Sequence, residues 1–169
     1  MAPRTVVSEA NILTDFEDGG PVAEVFRLGI VIVVPDVIFY EELEQRHAHL
    51  LKHRLIVREL TAQTVEDAVV LAQRYRRPSR NDLMALALAR QEKCPLLSGD
   101  SHLRLAAEQE QVELRGSLWL GEQLVVSGLV TACGLRSAFE QMRQRGRRLP
   151  WKMVNELLVK YGAAALEES

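Results

Sequence analysis

The chain has 169 residues, of which 47% are hydrophobic and 26% are charged, a composition that suits one globular domain and excludes a disordered or fibrous protein. Lysine and arginine number 21 against 23 aspartates and glutamates, so the net charge of -2 gives no global positive field for nucleic acid. The two cysteines, Cys94 and Cys133, lie far apart in the sequence, which excludes a disulfide framework and favours a reduced, cytoplasmic protein.

Short apolar runs alternate with helical patterns over the first two thirds of the chain. The apolar runs predict strands at residues 5–8, 29–34, 55–57, 95–98 and 112–114. Helices are predicted between them at residues 11–18, 36–51, 64–75, 79–92 and 101–109. Apolar runs without alternation are typical of strands buried on both faces of a parallel sheet. The fold class is therefore α/β, a three-layer α/β/α sandwich with a mostly parallel central sheet.

Beyond residue 116 the pattern is only helical, with helices predicted at 117–127, 131–145 and 150–161. We interpret residues 1–169 as a single domain, with a core at about 4–115 and a C-terminal helical extension at about 116–162. Residues 116–135 carry one charge, Glu122, over a length that spans a bilayer, but their four glycines predict two separate helices. The beginning of the chain contains no apolar stretch typical of a signal peptide, so we expect no membrane association. The apolar helices of the extension favour a homodimer.

Acidic residues follow the predicted strands. Glu9 ends the first strand, Asp100 follows the strand at 95–98, and Asp82 opens the long Ala/Leu helix. Glu41 and Glu42 lie in the helix after the second strand. Ligands of open α/β sheets bind at the carboxyl ends of the strands, where these acids would gather. Carboxylates that gather without Lys or Arg partners require a hard divalent cation, Mg²⁺ or Mn²⁺.

Four segments carry a family resemblance by their order and spacing. They are VVSEANIL at 6–13, PDVIFYEEL at 35–43, RNDLMALA at 80–87 and PLLSGD at 95–100. Together they resemble the PIN domain ribonucleases, which include the toxins of VapBC-type toxin–antitoxin pairs. The resemblance implies that the catalytic and metal-binding acids are Glu9, Glu42, Asp82 and Asp100, with Asn11 and Ser98 as supporting polar residues. It also implies hydrolysis of RNA phosphodiester bonds with Mg²⁺ or Mn²⁺ and a small antitoxin protein as partner.

Two features of this acid set leave alternatives open. Glu9 stands where the family has Asp, and its extra methylene moves the carboxylate. The second hypothesis is therefore a weakened PIN domain that binds RNA or a partner without cleaving RNA. The third hypothesis is a metal-dependent phosphohydrolase that acts on small phosphoesters. Glu41 and Glu42 are adjacent and point about 100° apart on an α-helix, so one of them is the site acid. We favour Glu42, which directly precedes Leu43 as in the family pattern.

Two groups of arginines are candidates for contact with an RNA backbone. Arg76, Arg77 and Arg80 precede Asp82 without an intervening acid and are predicted to bind RNA, against the alternative of a solvated loop. A second group follows the helix at 131–145, and we interpret it as the complement of a helix C-terminus. It consists of Arg143, Arg145, Arg147, Arg148 and Lys152.

Three further patterns receive a structural interpretation. His49 and His53 share a helical face as zinc ligands would, but no carboxylate or cysteine completes the set at a recognisable spacing, so we favour no zinc site. Asp15 is interpreted as a surface residue rather than a fifth ligand. Val65, Val69 and Ala72 form an apolar stripe that we assign to the core.

Overall fold

A parallel sheet of five strands forms the centre of the fold. The computed structural model describes residues 4–168, so Met1 to Pro3 and Ser169, which the sequence assigns to the same domain, lie outside the described residues. The strands are β1 (Arg4–Ser8), β2 (Ile30–Pro35), β3 (Ile56–Arg58), β4 (Leu96–Leu97) and β5 (Leu114–Arg115). Their order is β3-β2-β1-β4-β5, and every neighbouring pair is parallel. The predicted mostly parallel sheet is confirmed.

Helices cover the sheet and give the predicted three-layer α/β/α arrangement. They are α1 (Ala10–Gly19), α2 (Val22–Val25), α3 (Asp36–Ile38), α4 (Glu44–His47), α5 (Ala62–Arg74), α6 (Arg80–Glu92), α7 (Ser101–Gln109), α8 (Ser117–Val126), α9 (Ala132–Gln144) and α10 (Trp151–Lys160). A π-helical turn, Phe39–Leu43, joins α3 to α4, and a 3₁₀ segment, Ala48–His53, follows α4. Helix α2 is not apparent from the sequence, because four residues are too few to establish a helical period.

The unbroken apolar runs form the core strands because both of their faces are covered. Val7 of β1 pairs with Val33 of β2 on one side and with Leu96 of β4 on the other, and all three are fully buried. Helix α6 is buried from Leu83 to Ala89 on every side, which fits a helix that is apolar all round. The fold therefore places the N-terminus of α6 close to the carboxyl ends of these strands.

The predicted core stripe on α5 is wrong by one residue. Val65 and Val69 are 38% and 54% exposed, whereas Thr64 and Leu71 are fully buried. Thr61 caps the helix by accepting a hydrogen bond from the Thr64 amide at 3.2 Å. The Thr64 hydroxyl in turn donates to the Gln91 side chain of α6. Because this hydroxyl has a partner, the polar residue faces inward and the valines face solvent.

The C-terminal helices pack onto α1 by close backbone approach. A Cβ added at Gly19 would lie 2.7 Å from Met142 Cε and 2.9 Å from the Ala138 carbonyl oxygen, so the contact of α1 with α9 requires glycine. The segment 116–135 divides as predicted, since α8 ends at Val126 and α9 begins at Ala132. Among the described helices, all are too short or too polar to span a bilayer.

Candidate active site

Two predicted site acids lie at the same edge of the sheet because β1 and β4 are neighbours. Ser8 pairs with Leu97, so both strands end at the same edge of the sheet. Glu9 caps α1, and its Oε1 accepts a hydrogen bond from the Ile12 amide at 2.8 Å. Asp100 caps α7, and its Oδ1 accepts from the Leu103 amide at 2.8 Å. Asn11, which is exposed, lies in the first turn of α1 and does not cap it.

Asp82 joins these two acids from the third residue of α6. It forms a capping box with Ser79, in which the Asp82 amide donates to Ser79 Oγ at 3.1 Å and the Ser79 amide donates to Asp82 Oδ2 at 3.1 Å. Glu9, Asp82 and Asp100 line one cavity of about 390 Å³, which we call the acidic cavity. The remaining lining residues are Asn11, Asp15, Gly99, Gly146, Arg147 and Arg148.

Ser98 holds the turn that carries Asp100. It is fully buried, and its Oγ accepts a hydrogen bond from the Asp100 amide at 3.1 Å. Its side chain supports the site from behind, outside the set of cavity-lining residues. This position agrees with the supporting role that the sequence predicts, although the role itself stays a prediction.

Burial in the acidic cavity favours the protonated form of Glu9. Glu9 is only 4% exposed, and burial raises its pKa to about 7. Hydrogen bonds from the amides of Ile12 and Asn11 lower this pKa, while the charges of Asp82 and Asp15 raise it. The negative charge of such a buried carboxylate is poorly compensated, and a bound cation would supply the opposite charge.

Asp15 also faces the acidic cavity, so its assignment to the surface is wrong. The residue is 8% exposed, and burial raises its pKa to about 6 against the lowering effect of Arg147. The Nε atom of Arg147 lies 3.2 Å from Asp15 Oδ1 and 2.8 Å from Asp18 Oδ2. Asp15 lies about one helical turn beyond Asn11, so the same face of α1 presents both residues to the acidic cavity.

Arg147 and Arg148 reach the cavity because α9 ends at a left-handed glycine. Gly146 has a φ of +79°, which favours glycine. Its amide donates to the Arg143 carbonyl at 3.0 Å, and the Arg147 amide donates to the Met142 carbonyl at 2.9 Å. These are the two hydrogen bonds of a Schellman motif, which turns the chain back toward α1. Arg147 therefore binds acids of α1, and its assignment to a helix C-terminus is wrong.

Comparison with known proteins gives this chain a family. A family model described as "PIN domain" matches residues 5–163, which is most of the chain. The chain belongs to the PIN domain family. The match extends through the C-terminal helices and includes Arg147 and Arg148, which line the acidic cavity. No curated protein matches this PIN domain in a sequence search.

The fourth predicted acid of this PIN domain lies beside the acidic cavity rather than in its lining. Asn81 Nδ2 donates to Glu41 Oε2 and to Glu42 Oε2, both at 3.0 Å. Arg80 donates to Glu41 at 2.6 Å, and the Asn81 and Arg80 hydrogen bonds lower the pKa of Glu41. The expected divergence of the two glutamates is wrong, since the π-helical turn and Asn81 bring both carboxylates to one amide. Among the described residues, Glu42 accepts a hydrogen bond from Asn81, whereas Glu41 accepts from both Asn81 and Arg80.

The donor set of the PIN domain fits a hydrated divalent ion. The carboxylates of Glu9, Asp82 and Asp100 line the same cavity, but within the described residues their oxygens do not form a set closer than 4.8 Å. Mg²⁺ retains several of its waters and binds through one or two carboxylates and a phosphate, so it suits such spacing. The same oxygen ligands suit Mn²⁺.

A basic groove of about 600 Å³ adjoins the acidic cavity and shares Asp15, Gly99 and Arg148 with it. Arg104, Arg115 and Trp119 also line this groove, and the Arg115 guanidinium lies 5.8 Å from the centroid of the Trp119 ring. The buried Ser117 Oγ, which lines the groove, has no hydrogen-bond partner among the described residues. The groove thus offers cations and an aromatic ring.

The arginines that the sequence predicts to bind RNA are not among the residues that line the acidic cavity. Arg76 and Arg77 line a separate cavity of about 420 Å³ that shares no described lining residue with the acidic cavity. Arg80 is engaged by Glu41. The grouping of Arg104 with Arg115 is not apparent from the sequence, since isolated arginines on α7 and β5 show no clustering along the chain.

Proposed function

We propose that this PIN domain hydrolyses phosphodiester bonds of RNA with a Mg²⁺ or Mn²⁺ ion held by Glu9, Asp82 and Asp100. The observation that carries the proposal is the meeting of these carboxylates in one cavity at the N-termini of α1, α6 and α7. None of the three is ion-paired with a Lys or Arg side chain within residues 4–168. A divalent ion there would lower the pKa of a bound water and neutralise phosphate charge.

The residues around the ion have distinct tasks in this proposal. The amides of Ile12 and Leu103 fix the carboxylates of Glu9 and Asp100, and the capping box fixes that of Asp82. The helix N-termini direct partial positive charge toward the place of a phosphate. Glu42, held by Asn81 at 3.0 Å, would be a fourth acid acting from the rim.

We place the RNA strand in the basic groove. Phosphates leaving the acidic cavity would meet Arg148, which lines both cavities, and then Arg104. Trp119 offers a surface for base stacking, a contact available to any base. This arrangement supports single-stranded RNA as the substrate, because stacked bases must be unpaired.

The decisive experiment is a metal titration of RNA cleavage. Wild type, Asp82→Asn and Asp100→Asn are compared in Mg²⁺ and Mn²⁺ with a single-stranded RNA, and in EDTA as the blank. Both substitutions keep the hydrogen-bond acceptor at the helix N-terminus and remove the charge. We expect metal-dependent cleavage by wild type and a loss of at least about hundredfold in each variant. Turnover of small phosphodiesters without cleavage of RNA would support the phosphohydrolase hypothesis instead.

One observation favours a second candidate function, an RNA-binding module with weakened catalysis. Glu9 is buried and committed to capping α1 at 2.8 Å, and its pKa of about 7 leaves part of it protonated near neutral pH. Metal ligands must be deprotonated, so this pKa weakens metal binding. Glu9→Asp separates the candidates: a strong rise in cleavage over wild type would support the weakened form. Equal or lower cleavage would support an active wild-type enzyme.

The role of a toxin with a small antitoxin partner stays a prediction, supported by the resemblance to VapBC-type toxins. Expression of wild type should arrest growth, Asp82→Asn should relieve the arrest, and co-expression of a neighbouring short reading frame should relieve it for wild type. A homodimer also stays a prediction. Light scattering after gel filtration measures it directly.

A further inference from the structure

A second cluster of metal-ligating side chains lies outside the acidic cavity. Glu17 of α1 meets His47, the last residue of α4, and His49 in the 3₁₀ segment. His47 Nδ1 lies 2.5 Å from Glu17 Oε2, and His49 Nε2 contacts Glu17 Oε1. One ligand atom from each residue lies within 4.8 Å of the others. We call this group the histidine cluster.

The histidine cluster exists because the helix changes its geometry at His47. Residues two positions apart face opposite sides of an α-helix. Here His47 leaves the helical conformation, with φ −129° and ψ 19°, and the chain continues as a 3₁₀ segment. His47 and His49 thereby reach the same carboxylate. His53, which the α-helical spacing pairs with His49, instead stacks on Phe26 with ring centroids 5.7 Å apart. The shared α-helical face that the sequence indicates for His49 and His53 is therefore not formed.

From this geometry we propose that the histidine cluster binds a zinc-class divalent transition metal through two imidazoles and one carboxylate. Nitrogen and oxygen ligands of this kind suit Zn²⁺, Co²⁺ or Ni²⁺ far better than Mg²⁺. Ligand atoms about 2.1 Å from a tetrahedral zinc ion lie about 3.4 Å from one another, so a shift of about 1 Å in the Glu17 carboxylate admits the ion. The His49 side chain is 46% exposed, which leaves a fourth position open to water.

The proposed site would cross-link two segments that carry candidate active-site acids. Helix α1 begins after Glu9 and carries Glu17 in its last turn. The segment with His47 directly follows the π-helical turn that holds Glu41 and Glu42. A bound ion would fix these segments against each other while taking no ligand from the acidic cavity. Its role is structural, and it is independent of the proposed nuclease activity.

The test uses the full chain without a polyhistidine tag, stripped with EDTA and dialysed. Zinc binding is measured calorimetrically in the Asp82→Asn background with millimolar Mg²⁺ present, so that the acidic cavity does not compete. We expect one equivalent of Zn²⁺ and a loss of affinity of at least about tenfold in His49→Gln and His47→Ala. His53→Ala, a substitution in the same segment outside the cluster, should bind as tightly as its parent.

Two further measurements keep the proposal falsifiable. Cobalt binding should give visible absorption bands that disappear in His49→Gln, and Zn²⁺ should raise the melting temperature of the parent but not of that variant. His49 is exposed, so its substitution leaves folding intact even where His47→Ala does not. If zinc does not bind, the histidine cluster is only a pair of Glu–His hydrogen bonds, and the proposal is overturned. Zinc that remains equally bound in His49→Gln would overturn it as well. Neither result affects RNA cleavage, so the nuclease proposal is judged separately.

Discussion

Arg147 Nε lies 3.2 Å from Asp15 Oδ1, so the segment after α9 is tied to α1 inside the acidic cavity. The Arg147 side chain is 28% exposed and that of Asp15 is 12% exposed, which makes this a largely desolvated pair. Such a pair is sensitive to the removal of one partner, because the remaining charge stays buried. The C-terminal helices thus contribute to the site as well as to the core.

Arg147→Met should lower the free energy of unfolding by about 1–3 kcal/mol, since Asp15 and Asp18 lose the cation with which both form ion pairs. It should also raise the pKa of Asp15 above its value of about 6, because the lowering effect of the guanidinium is lost. Urea denaturation measures the first effect and NMR titration of the carboxyl carbon the second. Arg145→Met is the control, because Arg145 is 64% exposed and lies 3.7 Å from Asp18, and it should change stability by less than about 0.5 kcal/mol. Equal effects of the two substitutions would contradict the assignment.

A substitution at Glu9 should stabilise the metal-free protein at alkaline pH. The folded state raises the pKa of Glu9 from 4.5 to about 7, so it holds the proton more tightly than the unfolded chain does. The resulting stability is complete below pH 4.5 and is lost as the pH rises to about 7. Glu9→Gln, always neutral and still able to accept from the Ile12 amide, should exceed wild type by about 3 kcal/mol at pH 8 and match it at pH 4.

The measurement is denaturation in EDTA across this pH range. Asp15 titrates in both proteins, so the difference between them reports Glu9 together with its charge repulsion by Asp15. Addition of Mg²⁺ at pH 8 should stabilise wild type and leave Glu9→Gln unchanged, because a ligand of the folded state stabilises it by mass action. A difference between the two proteins that is independent of pH would show that Glu9 acts only as a helix cap.

Much of this arrangement follows from local sequence. The run from Ile30 to Val34 has no polar residue, so it predicts a strand covered on both faces, and acids after such strands predict a site at the sheet edge. The pairing of Arg147 with Asp15 was not predictable, because it depends on how α9 packs on α1. The change of helix type at His47 was equally hidden, since adjacent residues give no sign that an α-helix becomes 3₁₀. Local pattern thus predicts the elements, and tertiary packing decides which side chains meet.

The two adjacent glutamates on the π-helical turn should differ in their effect on cleavage. Glu41 is bound by Arg80 at 2.6 Å and by Asn81, and these hydrogen bonds lower its pKa and occupy its oxygens. Among the described residues, Glu42 accepts a hydrogen bond from Asn81 alone. Glu42→Gln should therefore lower Mg²⁺-dependent cleavage by about tenfold, while Glu41→Gln should have a clearly smaller effect. Single-turnover cleavage at saturating RNA provides the comparison. The reverse order would make Glu41 the site acid.

The path of the RNA can be determined from salt dependence. Each phosphate contact on a single strand contributes about −0.7 to the slope of log K against log salt concentration. Removing Arg104 and Arg148 together, by substitution to Gln, should reduce the magnitude of this slope by about 1.4 if both contact phosphates. The matched control is the substitution of Arg76 and Arg77 by Gln, which removes the same charge from the separate cavity.

Binding is measured by fluorescence anisotropy in the Asp82→Asn background, so that the RNA stays intact. We expect the slope to change in the Arg104/Arg148 variant and to stay within error in the control, because the basic groove shares lining residues with the acidic cavity and the cavity of Arg76 and Arg77 shares none among the described residues. Both variants lose two positive charges, so a general effect of net charge would alter both slopes alike. A change in the Arg76/Arg77 variant alone would move the RNA path to the cavity bordered by His102 and would support the binding role that the sequence predicts for that loop.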